Sequence, residues 1–145
     1  MNEEIRLENF LSDIKGCNQY VFKIKDGVMS SLKLKPIHSI CLFYLHIKGD
    51  MTSKELVKLT LEDKAAISKA IKKLEDEKIV IYDSKYNGLI KLTLEGKKIA
   101  ENVYNEFTKA LKEARKGISD EEAKIFADTL KKLHNNLKSY YNEDF

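Results

Sequence analysis

Lys64, Ala65, Ser68, Lys69 and Lys72 stand at offsets 0, 1, 4, 5 and 8, the spacing that gathers side chains on one side of a helix. Between positions 64 and 73 the chain carries four lysines and no acid, and Glu75, Asp76 and Glu77 follow at once. The helix macrodipole favours the reverse order, with acids in the first turn and cations in the last. Support of the helix therefore does not account for the lysines, whereas contact of the leading half with phosphates does. Ala65 and Ser68 are small enough to let a backbone approach the floor of a major groove, where a methyl meets thymine and a hydroxyl bonds either base type. The plainer alternative is a solvated lysine-rich face.

Two further groups offer the same chemistry. Thr52, Ser53 and Lys54 stand where a helix begins and present hydroxyls, an ammonium and free backbone N–H groups to a phosphate, although Thr52 is equally read as a simple cap. Lys85, Tyr86 and Asn87 occupy a turn, with Lys91 on the strand that returns from it, as backbone phosphate partners or as incidental surface residues.

Other chemistries find no footing. His38, His46 and His134 are the only histidines, with no HExxH, CxxC or paired Asp/His pattern, so they are expected to be structural and no metal is expected. No GxGxxG, GxxxxGKS or GxSxG occurs, so neither a phosphate-cradling loop nor a nucleophile elbow is present. No enzyme and no cofactor are expected. Cys17 and Cys41, 24 positions apart, read as two reduced thiols.

The elements that must carry the cationic face follow from spacing. Ile5, Leu7, Phe10, Leu11, Ile14, Val21 and Ile24 give a long amphipathic helix over the first 26 residues, followed by a break from Gly27 to Pro36. PIHSICLFYLHIKGD, apolar on nearly every side, predicts a central helix with Pro36 in its first turn and Gly49 just past its end. Thr52 and Glu55 form a capping box for a short helix ending near Thr60, and Leu61 and Glu62 form a tight turn. Asp63 caps the next helix, whose Ala66, Ile67, Ala70, Ile71 and Leu74 face inward. That pair is a helix-turn-helix. IVIYD, then SKY, Asn87-Gly88 and LIKLT predict a β-hairpin, because Asn-Gly supplies the positive φ of a tight turn. From Leu94, Ile99, Val103, Phe107 and Leu111 mark a helix that stops at Gly117, and Ser119 with Glu122 caps a last one reaching about Tyr141.

The expected fold is therefore mostly α (α+β): a winged helix-turn-helix with a two-stranded hairpin wing plus N- and C-terminal dimerisation helices. One domain over 1–145 is expected, with 36–94 as the DNA-binding region and 1–34 and 95–145 as the helical dimerisation region. With 145 residues, 43% of them hydrophobic, the chain has one core's worth of apolar residues. Terminal helices with more apolar stripe than a small winged helix can cover call for a second subunit. The net charge of +3 identifies no partner by itself. No apolar run approaches 18 residues, and MNEEIRLENFL lacks the basic and apolar regions of a secretory signal, so the expected location is the cytoplasm.

The order of these elements, with TSKELVKLT, AAISKAIKKLEDEKIV and LTLEG, resembles the multiple-antibiotic-resistance regulator (MarR) family of winged-helix transcription factors across essentially the whole chain. The resemblance implies a homodimer with interlocked terminal helices that presents two recognition helices to a pseudo-palindromic DNA operator, most often as a repressor released by a small aromatic effector. By position, Ser68 and Lys69 match the serine and basic residue of the family's recognition helix, and Lys85 lies in its wing. Two departures are visible: YDSKYNG has no arginine where the family wing carries Asp-x-Arg, and Lys78 replaces the glycine that commonly ends the recognition helix. Tyr20, His38, Cys41 and Tyr44 are candidate effector-pocket residues, each with a packing role as the alternative. A branch of the family senses hydroperoxides through a first-helix thiolate, which makes Cys17, with Tyr20 nearby, a redox candidate. The rival to DNA binding is a winged helix used as an interaction module, its lysines meeting an acidic protein partner.

Overall fold

A computed structural model describes residues 3–83, 85 and 88–143. Tyr86 and Asn87, at the expected hairpin tip, lie outside them. The residues group into two compact units, Met1–Thr108 and Lys109–Phe145.

In the first unit α1 runs Glu3–Met29. The helix does not break at Gly27, as the sequence reading expected, but continues for two residues. A helical glycine costs about 1 kcal/mol relative to alanine, and what offsets it is Met29, which is wholly buried, with Val28 packed beside it. A single 3-10 turn, Ser30–Leu32, then ends in Lys33 at φ 54, and Leu34 returns its N–H to the Met29 carbonyl at 3.1 Å. α2 (Pro36–Lys48) starts on its proline and stops at Gly49, whose φ of 82 suits a residue without Cβ. It is the central helix: Cys41, Leu42 and Leu45 are buried, and Ile37, Phe43 and Tyr44 pack against the same core.

β1 (Met51–Thr52) leads into α3 (Ser53–Thr60), which turns into α4 (Lys64–Asp76); β2 (Val80–Asp83) and β3 (Leu89–Leu92) form the hairpin, and α5 runs Leu94–Ala114. The hairpin register pairs Val80 with Leu92 and Asp83 with Leu89, and Gly88 in its turn has φ 68. The sheet is three-stranded, β1-β3-β2, where two strands were expected. Met51 and Thr52 pair with Ile90 and Leu89, and two residues are too short to show any alternation in a sequence. Met51, Ile90 and Val80 bring the sheet onto the core of α2, α3 and α4. On the outer side of β2 the Tyr82 N–H donates to Glu75 Oε2 at 3.2 Å.

In the second unit Gly117, at φ 79, turns the chain, and α6 runs Asp120–Tyr140. Ser119 and Glu122 make the expected capping box: Glu122 N–H donates to Ser119 Oγ at 3.1 Å and Ser119 N–H to Glu122 Oε2 at 2.8 Å. The Ser119 N–H, and then its hydroxyl, hold the Glu122 carboxyl below its ordinary pKa. Arg115 pairs with Asp120 at 2.7 Å. Among the described residues no helix is long and apolar enough to cross a membrane.

Candidate nucleic-acid interface

The site is assembled from two capped helices and a turn. Thr52 accepts the Glu55 N–H at 3.2 Å while Glu55 Oε2 accepts the Thr52 N–H at 2.8 Å, so two of the open donors of α3 are satisfied reciprocally. Leu56 is the buried anchor of this helix, and Thr60 donates its hydroxyl to the Leu56 carbonyl at 2.6 Å. Leu61, at φ 58, ends α3 by returning its N–H to Val57. Two residues later Asp63 Oδ1 accepts the Ala66 N–H at 2.7 Å and starts α4.

Burial fixes which way α4 faces. Ile67, Ala70, Ile71 and Leu74 are at most 5% exposed, with Ala66 half-buried beside them, and Lys64, Ala65, Ser68, Lys69 and Lys72 are all exposed. Among the described residues Lys64, Lys69 and Lys72 make no salt bridge, whereas Lys73 is bound to Glu77 at 2.9 Å. The acids that follow are thus partly accounted for within the protomer: Glu77 holds Lys73, and Glu75 holds β2. What remains outward is a cationic leading half with small residues between the charges.

The end of α4 explains the departure at Lys78. Ile79 returns its N–H to Leu74 at 2.9 Å and Lys78 to Glu75 at 2.9 Å, a Schellman closure in which buried Ile79 meets buried Leu74. Lys78 occupies the left-handed position of that closure at φ 59, where a glycine would be unstrained.

The flanking candidates are placed differently. The Thr52 hydroxyl is engaged in its cap, Ser53 is half-buried and Lys54 is exposed. Lys85 is exposed, and its N–H donates to Asp83 Oδ1 at 3.0 Å, so the Asp-x-Lys spacing forms a local Asx turn. Lys91 reaches Asp50 at 3.9 Å.

Thr93 and Gly96, within the LTLEG segment, have roles that the sequence reading did not assign. Thr93 donates its hydroxyl to the Lys78 carbonyl at 2.8 Å and accepts the Gly96 N–H at 3.0 Å. Gly96 is buried against the Ile79 carbonyl, where a Cβ would stand only 1.9 Å from the oxygen. A glycine inside the first turn of an otherwise helical pattern was the available signal.

The effector and redox candidates are scattered. Tyr20 is exposed on α1, beside an open groove lined by Asn18, Gln19, Tyr20, Phe22 and Lys23; His38, Cys41 and Tyr44 do not line it. His38 is buried and accepts the Lys35 N–H on Nδ1 at 2.8 Å, while its own N–H donates to the Lys35 carbonyl at 3.0 Å. Burial lowers its pKa, and the Lys73 and Lys35 charges lower it further. Cys41 is 0% exposed. Tyr44 packs its ring edge-on to Phe43. Cys17 is an exposed free thiol on α1. Among the described residues no group of three or more His, Cys, Asp or Glu side chains could hold a metal ion.

A capped helix pair followed directly by a hairpin, with the outward side of the second helix cationic, defines a winged helix-turn-helix. Residues 32–86 match the model of the MarR family, and the chain has the fold of solved proteins of that family. A putative MarR family transcriptional regulator from Listeria monocytogenes, solved with a 26mer DNA, is 23% identical over 93% of this chain and 96% of its own, with a TM-score of 0.79. A MarR family regulator from Neisseria meningitidis is 18% identical over 99% of both chains, with a TM-score of 0.76. BpsR of Bordetella bronchiseptica, whose DNA binding is regulated by 6-hydroxynicotinic acid, is 20% identical over 83% of this chain and 90% of its own, with a TM-score of 0.67. No curated protein sequence matches the chain.

Proposed function

We propose that the protein is a sequence-specific DNA-binding transcription regulator, a homodimer that occupies a pseudo-palindromic operator, represses from it and is released by a small-molecule effector. The observation that carries this reading is the outward face of α4, where Lys64, Ala65, Ser68, Lys69 and Lys72 stand exposed while Ile67, Ala70, Ile71 and Leu74 lock the helix to the core. Lys64, Lys69 and Lys72 serve phosphates and base edges, Ala65 and Ser68 set the depth of approach, and Lys54, Lys85 and Lys91 meet the backbone. Thr52 and Ser53 present the first turn of α3 to a phosphate.

The Listeria protein solved with DNA supports the choice of duplex DNA as partner, and BpsR supports control by a small aromatic acid. An effector would act by favouring a half-site separation unsuited to the operator. The dimer is the reading that covers the exposed apolar side chains of α1 and α6, and one protomer over 1–145 then divides into a reading part, 36–94, and two helical dimerisation arms. A cell interior, where chromosomal DNA is found, is the location this function requires.

Binding of duplex DNA across a salt series tests the reading. Affinity falling linearly in a log–log plot against salt is the expected result. Lys69→Ala should either relax base preference, if Lys69 reads a base edge, or weaken all sequences alike and lower the salt slope by about 1, if it meets a phosphate. A protein that retains no duplex at low salt but holds an acidic protein instead is an interaction module and overturns it.

A further inference from the structure

Thr93 closes a junction that the proposed recognition helix shares with α5. Its N–H donates to the Ile79 carbonyl at 3.0 Å. Its hydroxyl donates to the Lys78 carbonyl at 2.8 Å, with the Ile79 carbonyl 3.1 Å away, and accepts the Gly96 N–H at 3.0 Å. Lys78 and Ile79 are the two residues through which α4 closes, and Gly96 lies in the first turn of α5. Gly96 brings the two backbones together with no side chain between them, since a Cβ there would be 1.9 Å from the Ile79 oxygen. The body of α4 is locked to the core through Ile67, Ala70, Ile71 and Leu74. Hydrogen bonds add a tie of defined length and angle at its end. The end of α4 is therefore held to the first turn of α5 where Thr93 stands.

We infer that Thr93 is a positioning residue that determines half-site spacing: by tying the end of α4 to the start of α5 it fixes the separation at which the two recognition helices of a dimer meet DNA. The inference rests on the DNA-binding dimer proposed above. Thr93 touches no base. Its loss leaves the reading face of α4 intact and widens the set of spacings that the dimer accepts.

The test is selection of bound duplexes from a random-sequence DNA library, scored separately for half-site sequence and for half-site spacing. The wild type should enrich one half-site at one spacing. Thr93→Val, of the same shape without the hydroxyl, should enrich the same half-site at several spacings, its preference for the main spacing over one shifted by a base pair falling about tenfold, the weight of one or two hydrogen bonds. Thr93→Ser should restore the single spacing. Unchanged spacing in a folded Thr93→Val, or Thr93→Ser as permissive as Thr93→Val, overturns the inference. If Thr93→Val does not fold, Thr93→Cys decides: its weak S–H donor should widen the spacing partway, and an unchanged spacing overturns the inference. A wild type that enriches no duplex overturns the DNA reading and this inference together, whereas wild-type enrichment with unchanged spacing in the variants overturns this inference alone.

Discussion

The two cysteines differ in what surrounds their sulfurs. Cys41 is wholly enclosed, and burial, with the Glu62 carboxylate adding to it, pushes its thiol up to about 12, so at neutral pH it is protonated and inaccessible. Cys17 stands in solvent on α1. A thiol reagent applied to the native protein should therefore label one site per chain, Cys17, and reach Cys41 only in denaturant, as intact mass shows. His38 gives a pH dependence of definite sign. Its Nδ1 accepts the Lys35 N–H only when unprotonated, and its pKa is depressed below 6.5, so its contribution to stability is complete above 6.5 and is lost as pH falls through the lower folded value. The unfolding midpoint should drop as the pH falls from 6.5 through that lower value, and His38→Gln, which keeps an acceptor but does not titrate, should flatten the drop. Lys78→Gly should raise stability by about 1 kcal/mol in urea unfolding, because the left-handed position that closes α4 strains any residue with a Cβ.

At the scale of elements, the helix-turn-helix was legible because each signal in it is local. Thr52 with Glu55, Asp63 before Lys64, and the recurrence of Ile67, Ala70, Ile71 and Leu74 are all read within one or two turns of chain, and the structure places each as expected. The outward placement of Lys64, Ala65, Ser68, Lys69 and Lys72 followed by subtraction. What stayed hidden depends on residues far apart in sequence. β1 exists only because Met51 and Thr52 lie beside Ile90 and Leu89, nearly forty residues on. The work of Thr93 requires Lys78 and Ile79 to be brought to it, a closure across about fifteen residues that no periodicity announces. Gly27 misled for the opposite reason. Local propensity marked a break, and the burial of Met29 overrode it.

At the scale of the molecule, the terminal helices carry more apolar surface than their own units cover. Leu7, Phe10, Leu11, Ile14, Val21 and Phe22 are exposed on α1, and Ile125, Phe126, Leu130 and Leu137 on α6. An unpartnered stripe of this length is what a second copy would bury. Sedimentation at micromolar concentration should give a particle of two chains, and replacing Leu11 and Ile14 together with aspartate should yield monomers with lower helix content by circular dichroism. A wild-type monomer at that concentration would remove the dimer from the proposal. The carboxylate of Glu75, which takes up the Tyr82 N–H, bears on a different kind of self-association. β2 is the outermost strand on its side of the sheet, and an outermost strand with open N–H groups is a template on which strands of other molecules can grow into aggregates. With an anionic side chain already seated there, the wing is guarded against amyloid-like stacking, so Glu75→Ala would sacrifice solubility in concentrated solution before it sacrificed the fold.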